Sequence, residues 1–71
     1  HPISISEIQA GDLVFFRKPE GEKVSHVGLM ISDTDILHAS GRVRIDKLSK
    51  EGIVIDKQLA YVLLDIRRVI S

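Results

Sequence analysis

Two histidines are the residues of this chain best suited to chemistry: His26 in Ser25-His26-Val27-Gly28 and His38 in Leu37-His38-Ala39-Ser40. Imidazole titrates at about 6.5, so it can accept and return a proton near neutrality. A pair of them suits two kinds of work. One ring can serve as a base while the other orients it, or both can join a carboxylate such as Asp33 or Asp35 as metal ligands. The second arrangement is disfavoured because both acids fall in a polar turn beyond the apolar segments that carry the rings. A single histidine in an apolar strand is more often structural. Two on consecutive strands, flanked by the small residues Gly28 and Ala39, say more, because a substrate or a neighbouring element can approach such backbone closely. The chain has no cysteine, which excludes a disulfide framework and a thiolate metal site. Any thiol chemistry with these rings must be completed by residues outside this chain.

The elements must bring the rings together. Side chains alternate across a strand, so two rings on one hairpin share a face only if the loop has odd length or a bulge corrects the count. A three-residue loop at Ser32-Asp33-Thr34 sets His26 opposite Ser40 and puts His38 on the diagonal, about 7–8 Å away.

The rest of the chain reads as short strands and turns. Ser6 to Gln9 has the form of one helical turn, with Ser6 as N-cap and Gln9 as its capping-box partner. Gly11 leaves that turn, and Asp12 to Phe16 forms the first strand. Arg17 to Lys23, with Pro19 and Gly21, is a polar turn. Ser25 to Ile31 is nearly continuous in apolar residues, which predicts a central strand buried on both faces. Ile36 to Ser40 is the third strand, ended by Gly41, and Arg42 to Asp46 alternates as a half-exposed strand does. Ile53 to Ile55 begins another strand. Leu59 to Leu64 fits helix or strand equally, and Asp65 to Ile70 closes as a strand. Five or six short strands on hairpin-length loops predict a mostly antiparallel sheet. No long amphipathic helix is present to cover it, so helices from elsewhere are expected to supply a second layer.

Bulk properties narrow the function classes. A chain of 71 residues holds at most one small domain. Ten basic and ten acidic residues balance, which argues against a nucleic-acid partner, since phosphate neutralisation needs a basic excess. Arg67-Arg68 and the mixed segment Arg42 to Lys50 read as solvated strand edges. The longest apolar runs are strand-sized, far short of the ~18–20 residues that span a bilayer, and no membrane segment is expected. The opening His1-Pro2-Ile3 has the look of the interior of a longer protein.

Three segments in order, Ala10-Gly11-Asp12-Leu13-Val14-Phe15-Phe16, Ser25-His26-Val27-Gly28-Leu29-Met30-Ile31 and Ile36-Leu37-His38-Ala39-Ser40, resemble the NlpC/P60 family of murein peptidases. Val43-Arg44-Ile45-Asp46 and Arg67-Arg68-Val69 continue the likeness over nearly the whole chain. The resemblance implies an α+β, papain-like fold, in which a helix bearing the nucleophilic cysteine packs on an antiparallel sheet bearing the histidines. Residues 1–71 then correspond to the C-terminal part of one catalytic domain, without its cysteine-bearing half. It further implies a thiol protease, a hydrolase of bacterial peptidoglycan peptides that cuts between D-glutamate, through its γ-carboxyl, and a diamino acid. His26 matches the general base and acid, and His38 the residue that orients it; Ser25 and Ser40 are candidates for substrate contact. Ser40-Gly41-Arg42-Val43 is closest to the branch acting on free or recycled murein peptides with an exposed L-alanine. The implied partners are the murein peptide and the cysteine-bearing half of the same domain, with no cofactor and no metal. The implied setting is bacterial, in the cell envelope or secreted, or in cytoplasmic recycling. The competing reading is a non-catalytic SH3-like barrel. It requires an exposed aromatic groove, which Phe15, Phe16 and Tyr61 alone can scarcely build.

Overall fold

Short runs of β-branched and aromatic residues, separated by polar turns, set up strands of four to ten residues. The computed structural model describes residues 3–68. After one 3-10 turn (Ile5–Glu7) come β1 (Leu13–Arg17), β2 (His26–Met30), β3 (Asp35–Ala39), β4 (Val43–Lys47), β5 (Gly52–Ile55) and β6 (Gln58–Arg67). They form one antiparallel sheet in the order β4-β3-β2-β1-β6-β5. A bridge between Leu48 and Ile53 joins the chain after β4 to β5. The sheet therefore rolls until its two edges nearly meet. Residues Leu59 to Leu64 belong to β6, which resolves the helix-or-strand ambiguity. The expected closing strand extends to Arg67, while Val69 and Ile70 lie outside the described residues. Among the described residues no helix is long and apolar enough to cross a membrane.

Rolling gives the sheet its own second layer. The inward side chains Ile8, Val14, Phe16, Met30, Ile36, Ile53 and Ile66 are buried together, with Ile3, Leu48, Ile55, Tyr61 and Leu63 packed against them. The expectation that covering helices must come from elsewhere thus fails for the inner face. For the outer face the reading of β2 also needs correction. The strand is central, but Val27 and Leu29 and the following Ile31 are exposed, so it is buried on one face only. Its apolar run had suggested a doubly covered strand; alternation gives one covered side and one bare, apolar side. Two register shifts help the curl: one where β1 meets β6, between Phe15 and Phe16, and one where β5 meets β6, between Ile53 and Val54. Bulges of this kind sharpen the local twist.

Local polar contacts tie the ends. The N-terminal turn is capped from Ser4, not Ser6: the Glu7 carboxylate accepts from the Ser4 backbone N–H at 3.1 Å and from its hydroxyl at 2.9 Å. Gln9 has a different task, its N–H donating to Asp12 Oδ2 at 3.0 Å. Asp12 is buried and receives Arg68 on both oxygens, at 2.9 and 3.1 Å. Arg68 is therefore not a solvated edge charge but a clamp between the start of β1 and the end of β6, whereas Arg67 pairs with Asp65 on the outside. The β5–β6 hairpin turns on Asp56 and Lys57, at φ 51° and 67°. Two consecutive left-handed residues make the tight turn that matches strand twist, usually built with Asn-Gly.

Two outcomes follow for the folded protein. Replacing Asp56-Lys57 by Asn-Gly relieves the left-handed strain and is expected to raise stability by about 0.5–1 kcal/mol in urea denaturation. Arg68 holds the Asp12 carboxyl below its usual range, against the opposing effect of burial and with help from the Gln9 N–H. A depressed carboxyl contributes stability above the unfolded value of about 3.9, and that contribution is lost as pH falls through the folded value. Asp12→Asn should thus lower the denaturation midpoint at pH 7 and flatten its decline below about pH 4.

Candidate active site

The β2–β3 hairpin fixes the rings. Its register pairs Gly28 with His38, Leu29 with Leu37 and Met30 with Ile36. The Ile31 N–H donates to the Asp35 carbonyl at 2.9 Å, which closes a loop of Ser32, Asp33 and Thr34. Ser32 shapes that loop, its Oγ accepting from the backbone N–H of Thr34 at 3.1 Å and of Asp35 at 3.0 Å. Continued to the strand end, this register sets His26 opposite Ser40, with His38 on the diagonal. Both rings face the barrel interior. Gly28 pairs directly with His38, and the neighbouring strand approaches it closely: a Cβ there would meet Ile36 Cδ1 at 2.5 Å. Ala39 faces outward, so of the two small residues it is Gly28 that admits a neighbouring element, the Ile36 side chain of β3.

Nε2 of His26 lies 2.9 Å from Nδ1 of His38, and the rings meet edge to face at 89°. His38 is buried, and its Nε2 donates to Asp46 Oδ2 at 2.7 Å. Arg44 grips the same carboxylate, Nε donating to Oδ2 at 2.7 Å and Nη2 to Oδ1 at 3.1 Å. Pairing of His38 with Arg44 across β3 and β4 places Arg44 and Asp46 on the inward face. The result is one polar chain, His26–His38–Asp46–Arg44, crossing three strands. Tyr61 stacks on the His26 ring at 3.8 Å and 11°, and Phe16 lies 5.7 Å away. The Tyr61 hydroxyl donates to Ser40 Oγ at 2.8 Å.

Burial lowers the His26 pKa first, and the neighbouring His38 adds to the effect. Burial alone would raise the Asp46 carboxyl. The hydrogen bonds from Arg44 and His38 outweigh it and leave Asp46 below its usual range, so it is an anion at neutral pH. His26 is then a neutral ring with one nitrogen engaged. Its Nδ1 has no protein partner among the described residues.

Of the four residues singled out from sequence, the structure brings together His26, His38 and Ser40. Ser40 is engaged by Tyr61, while Ser25 stays exposed at the entry to β2. There it lines a groove of about 470 Å³ with Lys18 and Glu22 that includes neither histidine. Asp35 pairs with Lys47 and lies away from the rings. Sequence reading passed over Asp46, Arg44, Tyr61 and Phe16. Alternation along Arg42 to Asp46 held the signal for the first two, because the residues facing His38 must be the polar ones. The segment is the half-exposed edge strand that its alternation predicts, but the half-buried face is the charged one, with Arg44 and Asp46, and the exposed face carries Val43 and Ile45.

A nuclear magnetic resonance titration checks the electrostatics. The His26 ring should titrate below the ordinary 6.5 or so of imidazole. A histidine with a depressed folded value binds fewer protons than the unfolded chain, so stability should decline as pH falls from about 6.5 toward that folded value. His26→Gln should weaken this decline.

Comparison with known proteins adds one match. The sequence model of the NlpC/P60 family matches residues 1–62. Neither curated proteins nor solved structures give a match. The family match spans all three residues of the ring-and-carboxylate chain, and on it the chain belongs to the NlpC/P60 family, which points to a cell-wall peptidase.

Proposed function

We propose that this chain is the histidine-bearing part of a papain-like, α+β cysteine peptidase that hydrolyses bacterial cell-wall peptides. His26 is its base and acid, His38 orients His26, and a cysteine outside residues 1–71 is the nucleophile. The α+β class requires helices beyond the single 3-10 turn found among the described residues, and in this reading they come with the cysteine. The observation that carries it is the condition of the His26 nitrogens: Nε2 is engaged by His38 at 2.9 Å, and Nδ1 has no protein partner among the described residues. A base for a thiol needs that division, one nitrogen fixed and the other ready for the proton.

The chemistry then runs in two halves. The thiol gives its proton to Nδ1 of His26, and the thiolate attacks the carbonyl carbon of the γ-D-glutamyl bond. Collapse of the adduct expels the amine of the diamino acid, which takes the proton back from His26. Water, deprotonated by the same nitrogen, attacks the thioester; the carboxylic acid leaves and the thiol recovers its proton. Tyr61 over the ring and Phe16 beside it shield the imidazole from water and hold its plane.

The nearly closed barrel also fits a non-catalytic, SH3-like binding module. Such a module needs exposed aromatics, yet Phe16 is buried and Tyr61 is stacked on His26. Two of the three aromatic side chains thus serve the imidazole.

Turnover of an L-alanyl-γ-D-glutamyl-meso-diaminopimelate peptide by the cysteine-bearing full-length protein tests the roles. His26→Ala should lower kcat by about 10³-fold or more and slow thiol alkylation at about pH 6. His38→Ala should cost about 10–10³-fold, and His38→Asn less, because its carbonyl accepts the same hydrogen bond. If His38→Ala stays within about threefold of wild type in kcat/KM, under about 0.7 kcal/mol, the orienting role is wrong.

A further inference from the structure

We propose that Asp46, which reaches His26 only through His38, is a positioning residue that sets which nitrogen of His26 is bare. The inference rests on the base role given to His26 above. It begins from a count of protons along the polar chain. Asp46 is ionised and can only accept, so the nitrogen facing it at 2.7 Å, His38 Nε2, carries a hydrogen. Neutral imidazole has one N–H, so His38 Nδ1 is bare and must accept. The atom 2.9 Å away, His26 Nε2, therefore carries the hydrogen of that contact. Neutral His26 also has one N–H, so its Nδ1 is the bare nitrogen. One carboxylate thus decides the tautomers of two rings in series.

The alternative arrangement shows why this matters. With a donor in place of the Asp46 carboxylate, His38 holds its hydrogen on Nδ1 and donates to His26 Nε2. His26 Nδ1 then carries the N–H and cannot take a proton from a thiol. Geometry is nearly the same in both states, and only one of them is a base. Arg44 makes the assignment firm. Its two contacts of 2.7 and 3.1 Å occupy both carboxylate oxygens, fix the plane of the group, and keep a proton from settling on it. Burial of the His38 ring removes water that could otherwise stabilise either tautomer.

The test uses the full-length protein at pH 8 with its thiol capped as a methyl disulfide, so that no thiolate is present to place a proton on His26. Nitrogen-15 spectra of the histidines should show Nε2–H on both His38 and His26. Nδ1–H on either ring in the wild-type protein overturns the proposal without any variant. Asp46→Asn keeps size and shape but brings a donor. It should populate the Nδ1–H form of His38 and lower kcat of the uncapped enzyme by about 10–10²-fold, with KM within about threefold. Asp46→Asn with wild-type kcat and an unchanged His38 spectrum overturns the role of Asp46, even while His26→Ala remains inactive. Wild-type turnover by His26→Ala instead removes the base reading and this role with it, although the tautomer assignment of the capped protein stands.

Discussion

Side chains of a strand alternate between two faces, and the site exists because one hairpin obeys that alternation with an odd loop. Three residues between Ile31 and Asp35 put Gly28 opposite His38 and leave both rings on the inner face. From there each later contact is forced. Register with β4 brings Arg44 and Asp46 beneath His38, and register with β1 brings Phe16 beside His26. A slip of one residue in this hairpin would send His38 to the outer face and leave the Asp46 carboxylate with Arg44 alone. The packing of the core and the assembly of the polar chain are thus the same constraint, because Ile36 and Met30 share the face that carries the rings.

A polar chain inside an apolar barrel is stable only if every member is satisfied. Among the described residues no buried side-chain nitrogen or oxygen lacks a partner. The charges are arranged to make this possible. Arg44, on the strand at the sheet edge, reaches the partly exposed end of the chain, so the Asp46 anion is neutralised where water remains within reach. At the other end of the chain burial lowers the His26 pKa, which favours the neutral ring there.

Much of this arrangement was legible in the residues. The two histidines, their loop parity and the antiparallel sheet follow from periodicity and from three turn residues. Asp46 and Arg44 were within reach of the same reasoning. They were passed over because charge in an alternating segment suggested solvent, and the fold instead turned that polar face inward against His38. Closure of the sheet was not legible, since rolling depends on twist and on irregularities of register that no local pattern encodes. The Asp12–Arg68 clamp joins residues 56 positions apart and had no signal in either segment alone.

The extra residue in β6 has a consequence for how that strand can be written. Ile66 and Tyr61 both point inward although an odd number of positions separates them, which an unbroken pleat forbids. Counting back from Ile66 would make Leu64 and Val62 inward and turn Tyr61 away from His26. Counting from Tyr61 would drive Asp65 and Arg67 into the core. The offset opposite Phe15 and Phe16 works as a change of phase, with Leu64 as the unpaired beat. A single strand therefore satisfies two incompatible frames, one for the Ile66 core and one for the aromatic cover of the imidazole. Loss of any one residue between Tyr61 and Ile66 would straighten the ladder and keep both side chains inward, and loss of Leu64 is the one that leaves every other pairing of β1 with β6 unchanged.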